Sequence, residues 1–308
     1  RDLVRSRGLG DVYKRQLLPV IGFLICFPQI RTYIPFNSTT RTIPEGSIKV
    51  LSYNVMSFSN LKKKDGKNPI LSYLKNSNAD IICLQEYNTA SNKKFVTEQD
   101  VKKALKAYPY QSIRQQRKGD VQLACFSRFP ILSSQLIEYK SDYNGSMKYV
   151  LNVNNDTITL INNHLESNKL TKEDRGIYED MIKDPNAKKV KTGLRQLIRK
   201  LGEASAIRAS QADSVARIIT ENHYPTMIVC GDFNDGSISY THRVLTQELD
   251  DAFTQSGKGL GISYNQNKFY FRIDNILISP DLKAYNCTVD RSIKASDHYP
   301  IWCYISKR

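Results

Sequence analysis

Residues 226–236 constrain the fold more than any other part of the chain. An apolar run at 227–230 is followed directly by Gly231 and by the polar side chains of Asp232 and Asn234. The apolar run predicts a buried strand, and open α/β sheets place their ligand sites at the carboxyl ends of such strands. Because Gly, Asp and Asn are also ordinary turn residues, this segment alone leaves a plain loop as an alternative.

Polar side chains end or interrupt several other apolar runs. Strands are predicted at 48–54, 80–86, 121–127, 149–153, 158–164, 269–278 and 301–305, and helices at 69–76 and 101–107. Strands that alternate with helices early and cluster late favour mixed sheets in a layered α/β fold. The polar residues at these strand ends are Asn54, Glu86, His164, Asp232, Asn234, Asp274, Asp297 and His298.

If these strand ends meet, they form a metal site with oxygen ligands beside a general base. Oxygen ligands with few nitrogens favour Mg²⁺ or Mn²⁺ over zinc. The chain of 308 residues carries 45 Lys and Arg against 30 Asp and Glu, for a net charge of +15. That excess favours anionic partners such as phosphates, nucleic acid or acidic lipid, although solvated surface lysines would give the same total.

The cysteines have no paired spacing typical of zinc or redox motifs. Cys83, Cys125, Cys230 and Cys303 lie in apolar runs and are predicted to be small core residues.

The amino-terminal part divides into several predicted segments. Residues 1–16 show no periodicity, and residues 8–16 resemble translated sequencing-adapter sequence, so a non-native leader is expected at 1–16. Residues 17–34, uncharged from Leu17 to Ile30, are interpreted as the remnant of a membrane-spanning helix, with a core helix as the alternative. The run is shorter than the roughly 20 residues that a span requires. Residues 35–47 are predicted to be a linker and 48–308 the catalytic domain of a membrane-anchored protein, on a side of the membrane left open.

Two amphipathic helices are predicted after His164. Residues 187–202 are basic and contain no acid, which is compatible with contact to an anionic membrane or substrate, or with plain packing on the domain. In the second, at 203–221, Arg208 falls within the apolar stripe. Because Arg is rarely buried unpaired, we expect Arg208 to reach a carboxylate near the site or a substrate phosphate, with a snorkelling side chain as the alternative. His223 and His242 are interpreted as surface residues.

In this order, the motifs resemble those of the endonuclease/exonuclease/phosphatase superfamily, which has the deoxyribonuclease-I-like fold. A bacterial membrane-anchored type is the expected branch. The resemblance extends over about 48–305 and implies an α/β four-layer sandwich, with two packed mixed β-sheets flanked by helices. The motifs that carry it are Ser52-Tyr53-Asn54, Leu84-Gln85-Glu86, Asn163-His164-Leu165-Glu166-Ser167, Gly231-Asp232-Phe233-Asn234, Arg272-Ile273-Asp274 and Ser296-Asp297-His298.

The resemblance implies a metal site and a general base. Glu86 would be the principal metal ligand, with Asn54 and Asp297 completing or supporting the site. His298 would activate water, held in its tautomer by Asp274.

The remaining predicted site residues face the substrate. Asp232 would orient the nucleophile, and Asn234 and His164 would bind phosphate oxygens. Arg208 joins them as a predicted substrate-binding residue.

The implied activity is divalent-metal-dependent phosphoester hydrolysis with Mg²⁺ or Mn²⁺, and a phosphodiesterase is the preferred form. Met56 and His164 depart from the pattern of abasic-site endonucleases. The His-Leu-Glu-Ser sequence is similar to that of tyrosyl-DNA phosphodiesterases, whereas related variants occur in sphingomyelinases and inositol-polyphosphate phosphatases. The substrate is therefore left open between nucleic acid and a phospholipid or inositol phosphate. A phosphomonoesterase and an idle module that binds nucleic acid or anionic membrane are the alternatives, and a monomer is expected.

Overall fold

The computed structural model describes residues 2–60, 67–115, 122–141, 144–171, 173–174, 176–177, 180, 188–264, 266 and 270–308. The strands are β1 Ile48–Asn54, β2 Ile81–Gln85, β3 Tyr110–Gln115, β4 Gln122–Ser127, β5 Ile131–Ile137, β6 Gly145–Val153, β7 Asp156–His164, β8 Met227–Asp232, β9 Asp250–Asp251, β10 Asp274–Ile278, β11 Leu282–Val289 and β12 Ile301–Lys307. The helices are α1 Asp2–Tyr33, α2 Pro69–Asn76, α3 Glu98–Ala104, α4 Lys188–Thr220, α5 Tyr240–Leu245 and α6 Ala252–Ser256.

The strands form two mixed six-stranded sheets. The first has the order β11-β12-β1-β2-β4-β3, and the second has the order β5-β6-β7-β8-β10-β9. Each sheet contains one parallel pair near its centre, β1 with β2 and β7 with β8. Parallel neighbours bring their carboxyl ends to one edge of the sheet, so Asn54 lies beside Gln85, and His164 beside Asp232. The antiparallel partner of β8 adds Asp274 opposite Asp232.

The main core lies between the two sheets. Alternate residues of a strand point to opposite faces, so Val50 packs in the core between the sheets while Leu51 packs under α2 and α3. On the far side of the second sheet, Val215 of α4 packs against Ile161 and Val229. This arrangement of helices outside two packed sheets confirms the predicted four-layer α/β sandwich.

Gly231 shows why glycine stands at the end of β8. Its φ of +130° lies where residues with a Cβ are strained, and a Cβ built there would lie 2.0 Å from the carbonyl oxygen of Asn163. The absent side chain therefore lets β7 and β8 approach closely just before Asp232.

Several sequence-based assignments were incomplete or wrong. Strands β3, β5, β9 and β11 were not predicted, and β10 begins at Asp274 instead of residue 269, which lies outside the described residues. The two helices predicted at 187–202 and 203–221 are one helix, α4, because Gly202 lies within it on the exposed side and does not interrupt it. Residue 187 lies outside the described part of the chain. Cys83, Cys125, Cys230 and Cys303 are buried, as predicted.

The amino-terminal segments are also more ordered than their composition suggested. A single helix, α1, covers most of the expected leader together with the apolar run, and it contains both Pro19 and Pro28. None of the helices in the described part of the chain is long and apolar enough to cross a membrane. The predicted linker lies against the domain, because Asn37 donates to the carbonyls of Thr254 and Gly257, and the Thr40 N–H donates to Asn286.

Candidate active site

The carboxyl ends of β1, β2 and β8 bring one amide and two carboxylates together. The amide nitrogen of Asn54 donates to Glu86 Oε1 at 3.0 Å and to Asp232 Oδ2 at 3.1 Å. Both Asn54 and Asp232 are about 1 % exposed, whereas the side chain of Glu86 is 31 % exposed. Glu86 has a φ of +50°, a strained value of the kind that functional sites often retain.

A histidine–aspartate pair stands beside this group. His298 Nδ1 lies 2.8 Å from Asp274 Oδ2, and both residues are buried. The other ring nitrogen, His298 Nε2, lies 3.6 Å from Asp232 Oδ2. A carboxylate bound to Nδ1 fixes the tautomer and leaves Nε2 to exchange a proton with a ligand in the site.

The segment before β10 holds this pair in place through two residues that the sequence did not single out. Ser263 Oγ accepts the backbone N–H of Asp274 at 3.0 Å, and its carbonyl accepts the N–H of Tyr299 at 2.7 Å. The ring of Tyr264 lies 5.2 Å from that of His298. Neither Ser263 nor Tyr264 belongs to a motif or a periodic run, so no sequence signal identifies them.

The electrostatics of the site are dominated by negative charge. Burial raises the pKa of Asp232 to about 6, and Asp274 adds to that effect while His298 and His164 oppose it. For His298, burial favours the neutral ring, but Asp274 and Asp232 outweigh it and raise the pKa well above 6.5. The two carboxylates therefore make the imidazole more basic, and its neutral form is the one that can accept a proton from water.

The predicted substrate-facing residues His164 and Asn234 border the same space. His164 Nε2 lies 3.6 Å from Glu86 Oε1 and 3.8 Å from Asp232 Oδ2, and its buried Nδ1 has no hydrogen-bond partner among the described residues. Asn234 is half-buried, and its backbone N–H donates to Asp232 Oδ1 at 2.9 Å. Its side-chain amide donates to the carbonyl of Leu165.

Asp297 is the predicted metal ligand least firmly connected to the others. Ser296 Oγ donates to the carbonyl of Asn54 at 2.8 Å and lies 3.3 Å from Asp297 Oδ1. Asp297 is half-buried and adds to the raised pKa of His298. It therefore lies at the border of the cluster and is joined to Asn54 through Ser296.

The residues fit a divalent cation with oxygen ligands. Asp232 and Glu86 share the amide of Asn54, and within the described residues no Lys or Arg lies within 4.0 Å of either carboxylate. Asn54 Oδ1 accepts the N–H of Met56, so Asn54 supports the carboxylates in this arrangement. Mg²⁺ keeps several waters and uses few carboxylates, which suits the partly exposed Glu86.

A second grouping of ligand atoms overlaps the first. Among the described residues, Asp232, Asp274 and His298 bring one ligand atom each within 4.8 Å of one another. His298 and Asp274 already bind each other, so this group is better suited to moving a proton than to enclosing a metal.

Arg208 lies buried near the cluster and is about 3 % exposed. It donates to the carbonyl of Glu166 at 2.8 Å and to Asn168 Oδ1 at 2.9 Å, and its Nε lies 3.5 Å from Asp235 Oδ2. Ile207, which was predicted to belong to the apolar stripe around Arg208, is 42 % exposed, whereas Gln211, which was predicted to lie within that stripe, is buried. Its predicted contact with substrate stays a prediction.

His242 is a buried residue and the prediction of a surface position was wrong. Its Nε2 lies 3.1 Å from Asp251 Oδ2, within a group that also contains Arg272. His223 is exposed, as predicted.

The fold is shared with proteins of known structure. The catalytic domain of human Nocturnin with bound sulfate aligns with a TM-score of 0.61 at 16 % identity, over 87 % of this chain and 97 % of that one. D. rerio TDP2 complexed with single-strand DNA product aligns with a TM-score of 0.59 at 18 % identity, over 85 % and 99 %. An endonuclease/exonuclease/phosphatase from Bacteroides vulgatus aligns with a TM-score of 0.59 at 15 % identity, over 85 % and 99 %.

No curated protein matches the sequence. The sequence pattern of the Endonuclease/Exonuclease/phosphatase family, by contrast, matches residues 51–298, a range that contains every residue of the cluster. The match covers most of the chain. The protein therefore belongs to the Endonuclease/Exonuclease/phosphatase family, whose members hydrolyse phosphoester bonds.

Proposed function

We propose that the protein is a Mg²⁺-dependent phosphodiesterase, with Mn²⁺ as a substitute ion. The observation that carries the proposal is the cluster itself: Glu86 and Asp232 share one amide beside His298, with no Lys or Arg of the described residues within 4.0 Å of them. The two histidines only partly offset the cost of burying Asp232, and a bound divalent cation would offset the rest.

In the proposed mechanism, His298 Nε2 takes a proton from the attacking water while Asp274 holds the proton on Nδ1. Asp232 orients that water, since its Oδ2 lies 3.6 Å from His298 Nε2. His164 and Asn234 bind the phosphate oxygens. Glu86 would hold the metal ion, supported by Asn54 and Asp297, and the ion would supply positive charge that stabilises the phosphoryl oxygens.

Nucleic acid is the favoured substrate class, and a phospholipid or inositol phosphate is the alternative. The net charge of +15 suits a polyanion, and the similar D. rerio TDP2 structure contains a single-strand DNA product. A panel of plasmid DNA, 5′-tyrosyl DNA, sphingomyelin and phosphoinositides tests this directly. Hydrolysis of a lipid substrate alone would overturn the nucleic-acid assignment.

The reaction type is tested with two aryl phosphates. We expect bis(p-nitrophenyl) phosphate to be hydrolysed with Mg²⁺ and not with EDTA, and faster than p-nitrophenyl phosphate. His298→Ala should lower this turnover by about 10²–10⁴-fold, and His223→Ala, which removes an exposed histidine, is the matched control. A preference for p-nitrophenyl phosphate would favour a phosphomonoesterase, and binding of DNA without any turnover would favour an idle module.

We further propose that the amino-terminal helix holds the protein at a membrane. Leu18 and Ile25 on α1 are about 71 % and 70 % exposed, and further exposed apolar residues lie between Leu17 and Phe27. The exposed Arg195 and Arg199 on α4 would add attraction to acidic lipid. The full chain should float with phosphatidylserine vesicles, whereas a chain that lacks residues 2–31 should not. Equal flotation of both would contradict the proposal.

A further inference from the structure

A cavity of about 600 Å³ lies beside the segment that holds the catalytic pair. Its wall includes Gly261 and Ile262, directly before Ser263, which binds the backbone of Asp274. Residues of strands β11 and β12, and Asn37 of the amino-terminal segment, also line the cavity.

The charge of this cavity is unbalanced. The exposed Lys258 and Arg291 line it, and no carboxylate does. Neither cation forms an ion pair with a residue that the structure describes. The side-chain donors of Asn37, Ser256 and Thr288 on the wall already bind backbone carbonyls, so the two cations are the main polar groups offered to a ligand. Two cations that pair with no described carboxylate favour an anionic ligand, phosphate in particular.

The same cavity has an apolar wall. Trp302, Leu260 and Ile262 line it, and the half-buried indole of Trp302 is covered elsewhere by the amine of Lys49, 4.3 Å from the ring centroid. Inorganic phosphate would leave this wall unused. An organic phosphate, with a ring or sugar next to its charge, would use both parts.

We propose that this cavity binds a second phosphate group of the substrate, away from the bond that is hydrolysed. The inference rests on the proposed phosphoester hydrolysis and deepens it, because it selects organic phosphates that carry more than one phosphate. Oligonucleotides and inositol polyphosphates share that chemistry. Because Ile262 and Ser263 are consecutive, a group bound in the cavity lies against the segment that fixes Asp274 opposite His298.

Binding can be measured without turnover, because Trp302 is the only tryptophan of the chain. Its fluorescence is titrated with inorganic pyrophosphate, a 5′-phosphorylated thymidine dinucleotide and inositol hexakisphosphate at constant ionic strength. We expect a saturable change, with affinity about tenfold lower in the Lys258→Gln/Arg291→Gln variant. Lys283→Gln, an exposed lysine on β11 outside the cavity, should match the wild type. The absence of a saturable fluorescence change, or equal affinity in the double variant, would contradict the proposed phosphate site. Which of the two organic phosphates binds shows whether the site accepts a nucleotide or an inositol phosphate.

Kinetic measurements test the second phosphate site separately from the proposed phosphoester hydrolysis. In the double variant we expect the KM for a short oligonucleotide or an inositol polyphosphate to rise at least about fivefold more than the KM for bis(p-nitrophenyl) phosphate, which has one phosphate. Equal changes in both KM values would contradict the second phosphate site while leaving hydrolysis intact. A wild-type chain without turnover, but with fluorescence-detected binding that the double variant loses, would contradict the hydrolase and leave the site standing.

Discussion

Two histidine–aspartate pairs in the described part of the chain are buried and within hydrogen-bonding distance, and their surroundings differ in one decisive respect. His298 faces Asp274 at 2.8 Å, and His242 faces Asp251 at 3.1 Å. Asp251 also binds the guanidinium of Arg272 at 2.8 Å. The His298 pair instead faces another carboxylate, Asp232, and among the described residues has no arginine or lysine within 4.0 Å.

The electrostatic consequences of the two surroundings are opposite. Burial works to raise the pKa of Asp251, but Arg272 and His242 outweigh it and hold that pKa far below its ordinary value. Burial raises the pKa of Asp232 to about 6, with the two histidines only partly opposing it. The His242–Asp251 pair, whose negative charge is balanced by Arg272, has a structural role. The His298–Asp274 pair, which faces the further carboxylate of Asp232, is available for a cation and for proton transfer.

The largest expected difference is in catalysis. His298→Ala should lower turnover by about 10²–10⁴-fold, because it removes the general base, and should also lower the unfolding free energy by about 1–3 kcal/mol, because Asp274 loses its buried partner. His242→Ala should leave turnover within severalfold and lower the unfolding free energy by about 1–3 kcal/mol, because Asp251 loses a buried partner. Initial rates and urea unfolding of both variants decide the matter. Similar losses of turnover would remove the distinction between the pairs.

Next in size is the loss of the compensating cation. Arg272→Met should lower the unfolding free energy by about 3–5 kcal/mol, since it leaves Asp251 as a buried charge without its main partner. Asp251→Asn in the same chain should recover part of that loss in urea unfolding. A double variant that shows the sum of the two single losses would mean that the residues do not interact.

The third-largest expected effect follows from substitution of Glu86, the proposed metal ligand. Glu86→Gln should lower turnover by about 100-fold at fixed Mg²⁺ and raise the Mg²⁺ concentration needed for half-maximal rate. Glu221→Gln, at an exposed position after α4, is the control. Unchanged Mg²⁺ dependence in the Glu86 variant would show that another group holds the ion.

Substitution of Arg208 should destabilise the fold less than substitution of Arg272, because its partner Asp235 is 18 % exposed. Arg208→Ala should lower the unfolding free energy by about 2–3 kcal/mol through the lost bonds to Glu166 and Asn168. If Arg208 also contacts substrate, KM should rise in the correctly folded Arg208→Lys variant. Full stability and full activity of Arg208→Ala would contradict both roles.

The smallest expected effect is on pH dependence. The depressed pKa of Asp251 contributes stability that is complete above its unfolded pKa of about 4 and is lost as the pH falls below it. Asp251→Asn should therefore flatten the stability profile below pH 4 by about 1 kcal/mol or more. Urea midpoints between pH 3 and pH 7 measure it. Parallel profiles for the variant and the wild type would show that the pKa of Asp251 is ordinary.

Sequence reasoning recovered the part of the fold that depends on apolar runs. Strand β1 and helix α2 lie where they were predicted, because an uninterrupted buried run and a helix begun by Asn68 and Pro69 are local signals. Edge strand β5, with its mostly exposed side chains, gives no such signal. The convergence of Asn54, Glu86 and Asp232 was predictable from their positions at strand ends.

The contacts that the sequence could not predict join residues of different elements or loops, 11 and 9 positions apart in two cases. Ser263 holds Asp274 from a loop without a motif, and His242 meets Asp251 across an intervening turn. Such contacts depend on which loops pack together, and periodicity contains no information about that. A lone histidine such as His242 therefore looks the same in sequence whether it is exposed or buried.

The central claim is that the cluster around His298 binds one divalent cation. Mn²⁺ binding to the purified chain, followed by electron paramagnetic resonance, tests it most directly. We predict stoichiometric binding of one ion by the wild type and by Asp251→Asn, with binding weakened at least about tenfold in Glu86→Gln. Tight binding that survives Glu86→Gln, or the absence of stoichiometric binding by the wild type, would contradict the claim.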